Sequence, residues 1–463
     1  LTVKQDKNKK KSRTLFGTDG IRGKAGAYPI TPDFAMKIGK AIGVYFKKHY
    51  PNPKILIGKD TRISGYMLEQ AISSGICSVG VDVLQLGPLP TPGIAYLTRG
   101  MRACAGLVIS ASHNPFHDNG IKIFDYQGKK LGDAVEAEIE TLILENDLDQ
   151  YHVQDKDIGR AKRIDDAVGQ YAVFLKEQFP RQHTLEGLRI VLDCANGAGY
   201  KVAPKVFSEL GAEIFCEGVE PNGFNINDGC GALYPKNLGD KVKLYKADIG
   251  IALDGDADRL MVCDDKGVLF DGDEYLAVVA RYLIEKKELK KNTVVSTVMS
   301  NLGLAQSLAE VGGKVLHTKV GDRYVTEAMR EGDFVLGGEP SGHIIFSKIS
   351  TAGDGILSAL MLLAVLCEKQ KPLSQLRQVI EKMPQVTSSV NVKRKVPLAE
   401  MPEFQSDIQK VEKDLGDSGR VLFRYSGTEN KARIMVEGPS RVKIEGYADF
   451  LSKAVLDAIQ RNS

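Results

Sequence analysis

Three segments of the chain repeat one order of elements: a short apolar run, a polar or glycine-rich turn, a helix-spaced stretch, a glycine and a second apolar run. They are KILIGKDTRISGYMLEQAISSGICSVGVDVLQLG (54–87), LRIVLDCANGAGYKVAPKVFSELGAEIFCEG (188–218) and NTVVSTVMSNLGLAQSLAEVGGKVLHTKVG (292–321). Runs such as Ile55-Leu56-Ile57 and Val294-Val295 are too brief for helices, and the residues after them switch to helical spacing. Each segment reads as a βαβ unit, and parallel strands joined by helices imply an α/β sheet covered on both faces. The fold expected is three similar α/β domains with mixed, mainly parallel sheets, at roughly 1–160, 161–262 and 263–380. Residues 381–463 differ: a β-rich start, a charged helical stretch, a strand–loop–strand around Gly427 and a final helix from Lys443. That order fits a smaller α+β domain. Four domains leave a central cleft between them, where ligands bind.

Composition narrows the function classes. Residues 1–14, LTVKQDKNKKKSRT, hold six basic side chains and one acid, and read as a solvated basic arm. The whole chain carries +3, so the body beyond the arm is near −2. That is no clustered basic face, and nucleic acid is not an expected partner. The seven cysteines lie far apart with no C-x-x-C pair, which reads as reduced, buried thiols of a cytoplasmic protein. No apolar segment of signal-peptide type follows the basic start. The greasiest stretch, Ile356 to Cys367, is too short for a bilayer that needs about 20 residues, and reads as a buried helix. No membrane partner is expected; a homodimer is the assembly entertained.

Four motifs carry chemistry. In LVISASHNPFHDNGIKIF (107–124), a strand runs into a small-residue turn at Ser112, whose backbone amides favour an anionic group. Lys122 alternates with Ile121 and Ile123 and points to the opposite face. From these residues alone, a plain turn serine and an exposed strand lysine fit equally well. His113 adjoins Ser112 and no G-x-S-x-G elbow surrounds it, which disfavours a Ser-His-Asp hydrolase. In IGIALDGDADRLMVCDD (249–265), Asp254, Asp256 and Asp258 alternate between two apolar strands and converge at a hairpin tip. Three carboxylates that close repel unless a cation holds them, and oxygen ligands point to Mg²⁺ or Ca²⁺. An EF-hand is excluded, because its glycine and glutamate positions hold Arg259 and Asp265. A plain acidic turn is the alternative.

In FVLGGEPSGHIIF (334–346), Glu339, Ser341 and His343 share one side if the loop is extended, a set suited to sugar hydroxyls. A glycine-rich surface turn fits as well. In VLFRYSGTENKARIMVEG (421–438), Arg424 precedes Ser426, Gly427 and Thr428, a guanidinium beside a nest of amides that suits phosphate. No Walker A loop occurs, and Gly197 and Gly199 form a plain β–α turn without a third glycine.

Taken in this order, the motifs resemble the α-D-phosphohexomutase superfamily, from LFGTDGIRG (15–23) to RIMVEG (433–438). LFGTDGIRG, SASHNPFHDNGIKIF, VGDRYV (320–325) and SGTEN are most similar to its bacterial branch that interconverts glucosamine 6-phosphate and glucosamine 1-phosphate. The resemblance implies a phosphoserine at Ser112 and one Mg²⁺ held by its phosphate with Asp254, Asp256 and Asp258. It implies an acid/base role for Lys122, places Arg22 and Arg259 near the transferred phosphoryl group, and counts His113 among the catalytic residues. Glu339, Ser341 and His343 would grip the sugar; Arg424, Ser426, Gly427 and Thr428 would hold the other phosphate. Glucosamine 1,6-bisphosphate would be intermediate and activator. Two residues depart from the pattern: Ala257 stands where many members have a second glycine, and Pro340 where the glucosamine branch usually has glutamine. Pro340 stiffens the backbone beside Glu339 and bears on the choice of amine or hydroxyl at the sugar's C2. Mannose or glucose phosphate with the same chemistry, and a non-catalytic phosphosugar-binding protein, are the alternatives.

Overall fold

In the computed structural model, which describes residues 14–17, 19–426 and 430–461, the repeat becomes three sheets of one topology. The first sheet holds β1 (Ile21–Lys24), β2 (Lys54–Lys59), β3 (Asp82–Pro88), β4 (Ala105–Ile109), β5 (Asp118–Asp125) and β6 (Ala161–Arg163), in the order β1-β5-β4-β2-β3-β6. The second holds β7 (Arg189–Asp193), β8 (Glu213–Glu217), β9 (Ile249–Leu253), β10 (Leu260–Cys263) and β11 (Leu269–Phe270), in the order β11-β10-β9-β7-β8. The third orders β12 (Thr293–Thr297), β13 (Lys314–Thr318), β14 (Leu336–Gly338) and β15 (Ile344–Phe346) as β13-β12-β14-β15. In each, the two strands of the sequence repeat pair in parallel, a third strand joins in parallel, and a fourth returns antiparallel through a hairpin. The fourth domain is an antiparallel sheet of β16 (Gln385–Asn391), β17 (Arg420–Tyr425) and β18 (Lys431–Glu437), ordered β16-β18-β17.

The hairpins between third and fourth strands place the site. The Ser112 segment lies between β4 and β5, the aspartate triad between β9 and β10, and the Glu339 loop between β14 and β15. Strands buried on both faces, such as Ala105–Ile109 and Ile249–Leu253, fix the position of each tip.

Helices cover the sheets with ordinary end signals. Pro32–His49 starts on Thr31, whose hydroxyl accepts from the Phe34 N–H at 3.3 Å, and ends on Lys47 and Lys48. Gly272–Glu285 carries a reciprocal capping box between Asp271 and Glu274. Gly355–Lys369 is the buried helix expected around Ile356 to Cys367. One continuous apolar core joins the first three domains through Ile94, Tyr171, Leu253 and Leu360, whereas Phe404, Ile434 and Leu451 form a separate core in the fourth.

The structure shifts several sequence-based boundaries. Ala161–Arg163 pairs in parallel with β3, so the first sheet runs past residue 160 to reach its outer edge. Leu269–Phe270 pairs with β10, so the second sheet runs past residue 262. Thr14 does not belong to a solvated arm: its N–H and hydroxyl donate to Glu140 Oε1 at 2.7 and 3.0 Å, and residues 1–13 lie outside the described part. The cysteines are free, but not all buried. Cys216 is exposed, because β8 is an edge strand and that side chain faces outward.

Candidate active site

Ser112 lies three residues beyond the end of β4 with φ of +51°, a left-handed conformation that costs a non-glycine residue and persists only when its neighbours enforce it. The enforcement is visible. The Ser112 N–H donates to Ser110 Oγ at 2.9 Å, and that hydroxyl donates to Asp60 Oδ2 at 2.5 Å. The Ser112 carbonyl accepts from Arg62 at 3.1 Å and from Asn227 Nδ2 at 2.9 Å. Arg62 is fully buried and ion-paired with Asp60. Asn227 also donates to the Asn114 carbonyl at 3.1 Å, so a residue of the second domain clamps the first domain's loop.

The Ser112 hydroxyl donates to Asp254 Oδ2 at 2.7 Å. Asp254, Asp256 and Asp258 each present one oxygen, all within 4.8 Å of one another. Burial, then repulsion from Asp258 and Asp256, pushes the Asp254 carboxyl well above its ordinary range. Oδ1 of Asp256 and Oδ1 of Asp258 are buried without a hydrogen-bond partner among the described residues. An unpartnered Asp256 oxygen and an Asp258 oxygen with only His343 Nδ1 at 3.7 Å, beside a third acid and a hydroxyl, are a donor set that a hard divalent cation satisfies, so the residues fit magnesium.

Cations ring the triad. Lys122 is buried, which excludes the exposed-lysine alternative; its Nζ donates to Asp256 at 2.9 Å and lies 3.2 Å from Asp19 and 3.7 Å from Asp258. Burial opposes its charge, but Asp19, Asp256 and Asp258 outweigh it and hold the ammonium above the usual lysine range. Burial likewise works against Arg259, and Asp254 and Asp258 hold it above its usual value. The Nε atoms of Arg22 and Arg259 are buried without a hydrogen-bond partner among the described residues, while the Arg22 guanidinium pairs with Asp19 and donates to Ala111 O at 3.4 Å. His113 Nδ1 lies 3.3 Å from Ser112 Oγ, its pKa lowered to about 4 by burial and by Arg259 and Arg22.

The Glu339 loop is not extended. The Gly342 N–H donates to Glu339 O at 3.0 Å and Glu339 N–H to His343 O at 3.1 Å, closing a tight turn with φ of +85° at Gly342. Glu339, Ser341 and His343 therefore do not share one side. Ser341 is exposed, and Glu339 is half-buried with its Oε1 accepting from Gly321 N at 3.1 Å. His343 turns inward, its Nδ1 3.7 Å from Asp258 and Nε2 3.8 Å from Asp322. It supports the triad rather than reaching out beside Ser341. Burial opposes its charge, but Asp258 and Asp322 raise its pKa to about 9. Arg424 lies opposite Arg433 across β17 and β18; burial and Arg433 lower its pKa, while Glu339 acts in the opposite direction. Ser426 is buried at the end of β17, and Gly427 and Thr428 lie outside the described residues.

Models of all four phosphoglucomutase/phosphomannomutase domains match in order: α/β/α domain I at 13–150, domain II at 170–267, domain III at 271–383 and the C-terminal domain at 389–454. The chain belongs to the phosphoglucomutase/phosphomannomutase family. A phosphoglucosamine mutase from Pelobacter propionicus is 53% identical over 97% of this chain and 99% of its own length. Among solved structures, a phosphoglucomutase/phosphomannomutase family protein from Burkholderia thailandensis superimposes with TM-score 0.80 at 25% identity, covering 96% of this chain and 97% of that one. The fold is also that of Aspergillus fumigatus N-acetylphosphoglucosamine mutase, solved with GlcNAc-6P and magnesium, at TM-score 0.67 and 20% identity over 97% and 96% of the two chains.

Membership in this phosphohexomutase family agrees with what the folded chain brings together: Ser112, His113, Lys122, Arg22, Arg259 and the triad. Sequence reasoning missed Asp19, Asp60, Arg62, Thr91 and Asn227. Thr91 holds Asp256 twice, hydroxyl to Oδ2 at 2.7 Å and N–H to carbonyl at 3.0 Å. Asp19 sits in LFGTDGIRG and Asp60 and Arg62 in KDTR, the turn after a buried strand, where charged residues were the available signal. Asn227 and Thr91 left none. No helix among the described residues is long and apolar enough to cross a membrane.

Proposed function

We propose that this mutase interconverts glucosamine 6-phosphate and glucosamine 1-phosphate through a phosphoserine at Ser112 and a glucosamine 1,6-bisphosphate intermediate. The observation that carries the chemistry is the 2.7 Å contact of the Ser112 hydroxyl with Asp254 inside a buried triad of carboxylates. The choice of sugar rests on the full-length similarity to a phosphoglucosamine mutase. The phosphoryl group on Ser112 passes to the free hydroxyl of the bound sugar phosphate: the bond from phosphorus to Ser112 Oγ breaks as that to the sugar oxygen forms. The bisphosphate then turns around in the site, and its other phosphoryl group passes back, its bond to the sugar oxygen breaking as that to Ser112 Oγ forms. Asp254, Asp256, Asp258 and Ser112 would hold one magnesium ion, which supplies neutralisation of charge on the phosphoryl oxygens.

The chain's own residues position and neutralise. Arg22 and Arg259, both half-buried, would offer their guanidinium groups to the transferred phosphate; Lys122, held as an ammonium, would donate a proton and His113, held neutral, would accept one. Glu339 and Ser341 meet the sugar, His343 holds Asp258, and Arg424 with Ser426, Gly427 and Thr428 receives the phosphate not in transfer. The bisphosphate also charges Ser112 for the first turnover. The partner is thus a small phosphosugar, and the seven free thiols suit the cytoplasm.

Turnover of glucosamine 6-phosphate, mannose 6-phosphate and glucose 6-phosphate with magnesium, for the wild type and Ser112→Ala, tests this reading. Glucosamine 6-phosphate is expected to turn over fastest, and Ser112→Ala to lose about a thousandfold or more with no phosphate on the protein. Preference for a sugar with a C2 hydroxyl would move the assignment to mannose or glucose phosphate, and equal rates in both proteins would remove the mechanism.

A further inference from the structure

Six side chains close a ring of alternating charge behind the triad. Asp258 lies 3.7 Å from Lys122, Lys122 3.2 Å from Asp19, Asp19 2.6 Å from Lys130, Lys130 2.5 Å from Asp322, Asp322 3.8 Å from His343, and His343 3.7 Å from Asp258. The ring passes through the first, second and third domains. Lys122, His343 and Asp258 are deeply buried, whereas Asp19, Lys130 and Asp322 keep 25–30% side-chain exposure. Two of its members carry the sites at either end. Asp19 also pairs with Arg22, beside the Ser112 loop; Asp322 follows Gly321, whose N–H holds Glu339 Oε1 at 3.1 Å.

From this we infer that Lys130 is a positioning residue that sets the sugar-gripping turn of the third domain against the phosphoserine loop of the first. The contacts beside it are polar: Asp133 with Arg323 at 2.5 Å, and the Thr351 hydroxyl on the Gly128 carbonyl. The apolar core shared by the domains holds the joint, these polar contacts fix its register beside the site, and Lys130 is the cation that separates two facing carboxylates. Without it, Asp19 and Asp322 repel across the cleft and Glu339 moves away from Ser112. Lys130 touches neither the triad nor Ser112, so its loss falls on sugar binding and leaves the metal site intact. The inference rests on the phosphohexomutase reading of the site.

The test is steady-state kinetics of Lys130→Met, Lys130→Arg, Asp322→Asn and the double variant Lys130→Met/Asp322→Asn, with the hexose phosphate that the wild type turns over fastest. Lys130→Met should raise KM about tenfold or more, lower kcat less, and leave the half-saturating magnesium concentration within about twofold. Lys130→Arg should stay within about threefold of the wild type. Adding Asp322→Asn to Lys130→Met should recover part of the lost KM, because it removes one repelling carboxylate; a passive structural lysine would give no such recovery. If Lys130→Met does not fold, Asp322→Asn alone reads the bridge through a smaller rise in KM. An unchanged KM in Lys130→Met and Asp322→Asn, a double variant no better than Lys130→Met, or a loss confined to kcat overturns the inference. A wild type that turns over no hexose phosphate would overturn the functional reading, and with it the inference.

Discussion

At the scale of residues, Ser112 shows how a reactive side chain is paid for by its surroundings. Its left-handed backbone exposes the hydroxyl to Asp254, and the Ser112 carbonyl, turned the other way, is held by Arg62 and Asn227. Asn227→Ala removes the second-domain donor from the buried Ser112 carbonyl and the half-buried Asn114 carbonyl. It should lower kcat about 10- to 100-fold with a smaller change in KM, read in the same turnover assay. The orphaned oxygens of Asp256 and Asp258 make a separate prediction that needs no activity. A cation that binds only the folded triad stabilises it by mass action, by about 2.7 kcal/mol at a hundred times its dissociation constant. Magnesium should raise Tm by several degrees over a chelated sample, and Asp256→Asn should lose most of that rise, as calorimetry would show.

The functional unit at the scale of elements is the hairpin. The same turn of the repeat, between third and fourth strands, carries Ser112, the aspartate triad and the Glu339 loop in successive domains. One backbone geometry thus presents three different sets of polar side chains at its tip. Tight tips leave little room: at Gly342, with φ of +85°, a Cβ would collide with the Leu260 carbonyl at the end of the neighbouring metal hairpin. Gly342→Ala should cost at least about 1–2 kcal/mol from the backbone conformation alone. Loss of both stability in urea and activity is expected, because Leu260 N–H bonds Gly342 O at 2.9 Å and couples the two loops.

Across the whole molecule, the first three domains share one core, and a buried acid sits within it. Asp354 caps Gly355–Lys369 through Leu357 N–H at 2.9 Å and accepts from the Tyr171 hydroxyl of the second domain at 2.6 Å. Burial raises its pKa to about 6, against hydrogen bonds from Leu357 and Tyr171 that lower it. A carboxyl raised on folding binds its proton more tightly in the native state. Its contribution to stability is full below the unfolded value near 4 and is lost as pH rises through about 6, roughly 3 kcal/mol in all. Asp354→Asn keeps a capping oxygen and does not titrate. Its stability relative to the wild type should therefore increase by up to about 3 kcal/mol between pH 4 and pH 7, measured by urea unfolding at each pH. A constant difference would contradict the assignment.

The periodic and short-range features were legible in the chain itself. Three βαβ repeats, the alternation of Asp254, Asp256 and Asp258, and the run from Ile356 to Cys367 depend on spacing within a few residues, and all appear where expected. Lys122 was readable only in part: alternation fixed its face, while its burial depended on acids from two other segments. Folding alone decided the rest. That Glu339, Ser341 and His343 part company follows from a turn closed by Gly342; that Asn227 and Thr91 serve the site follows from domains meeting across more than a hundred residues of chain. The physical reason is one of range. Hydrophobic period and turn chemistry act locally and leave a pattern in sequence, whereas a hydrogen bond between distant polar side chains leaves none until the cores that carry them have packed.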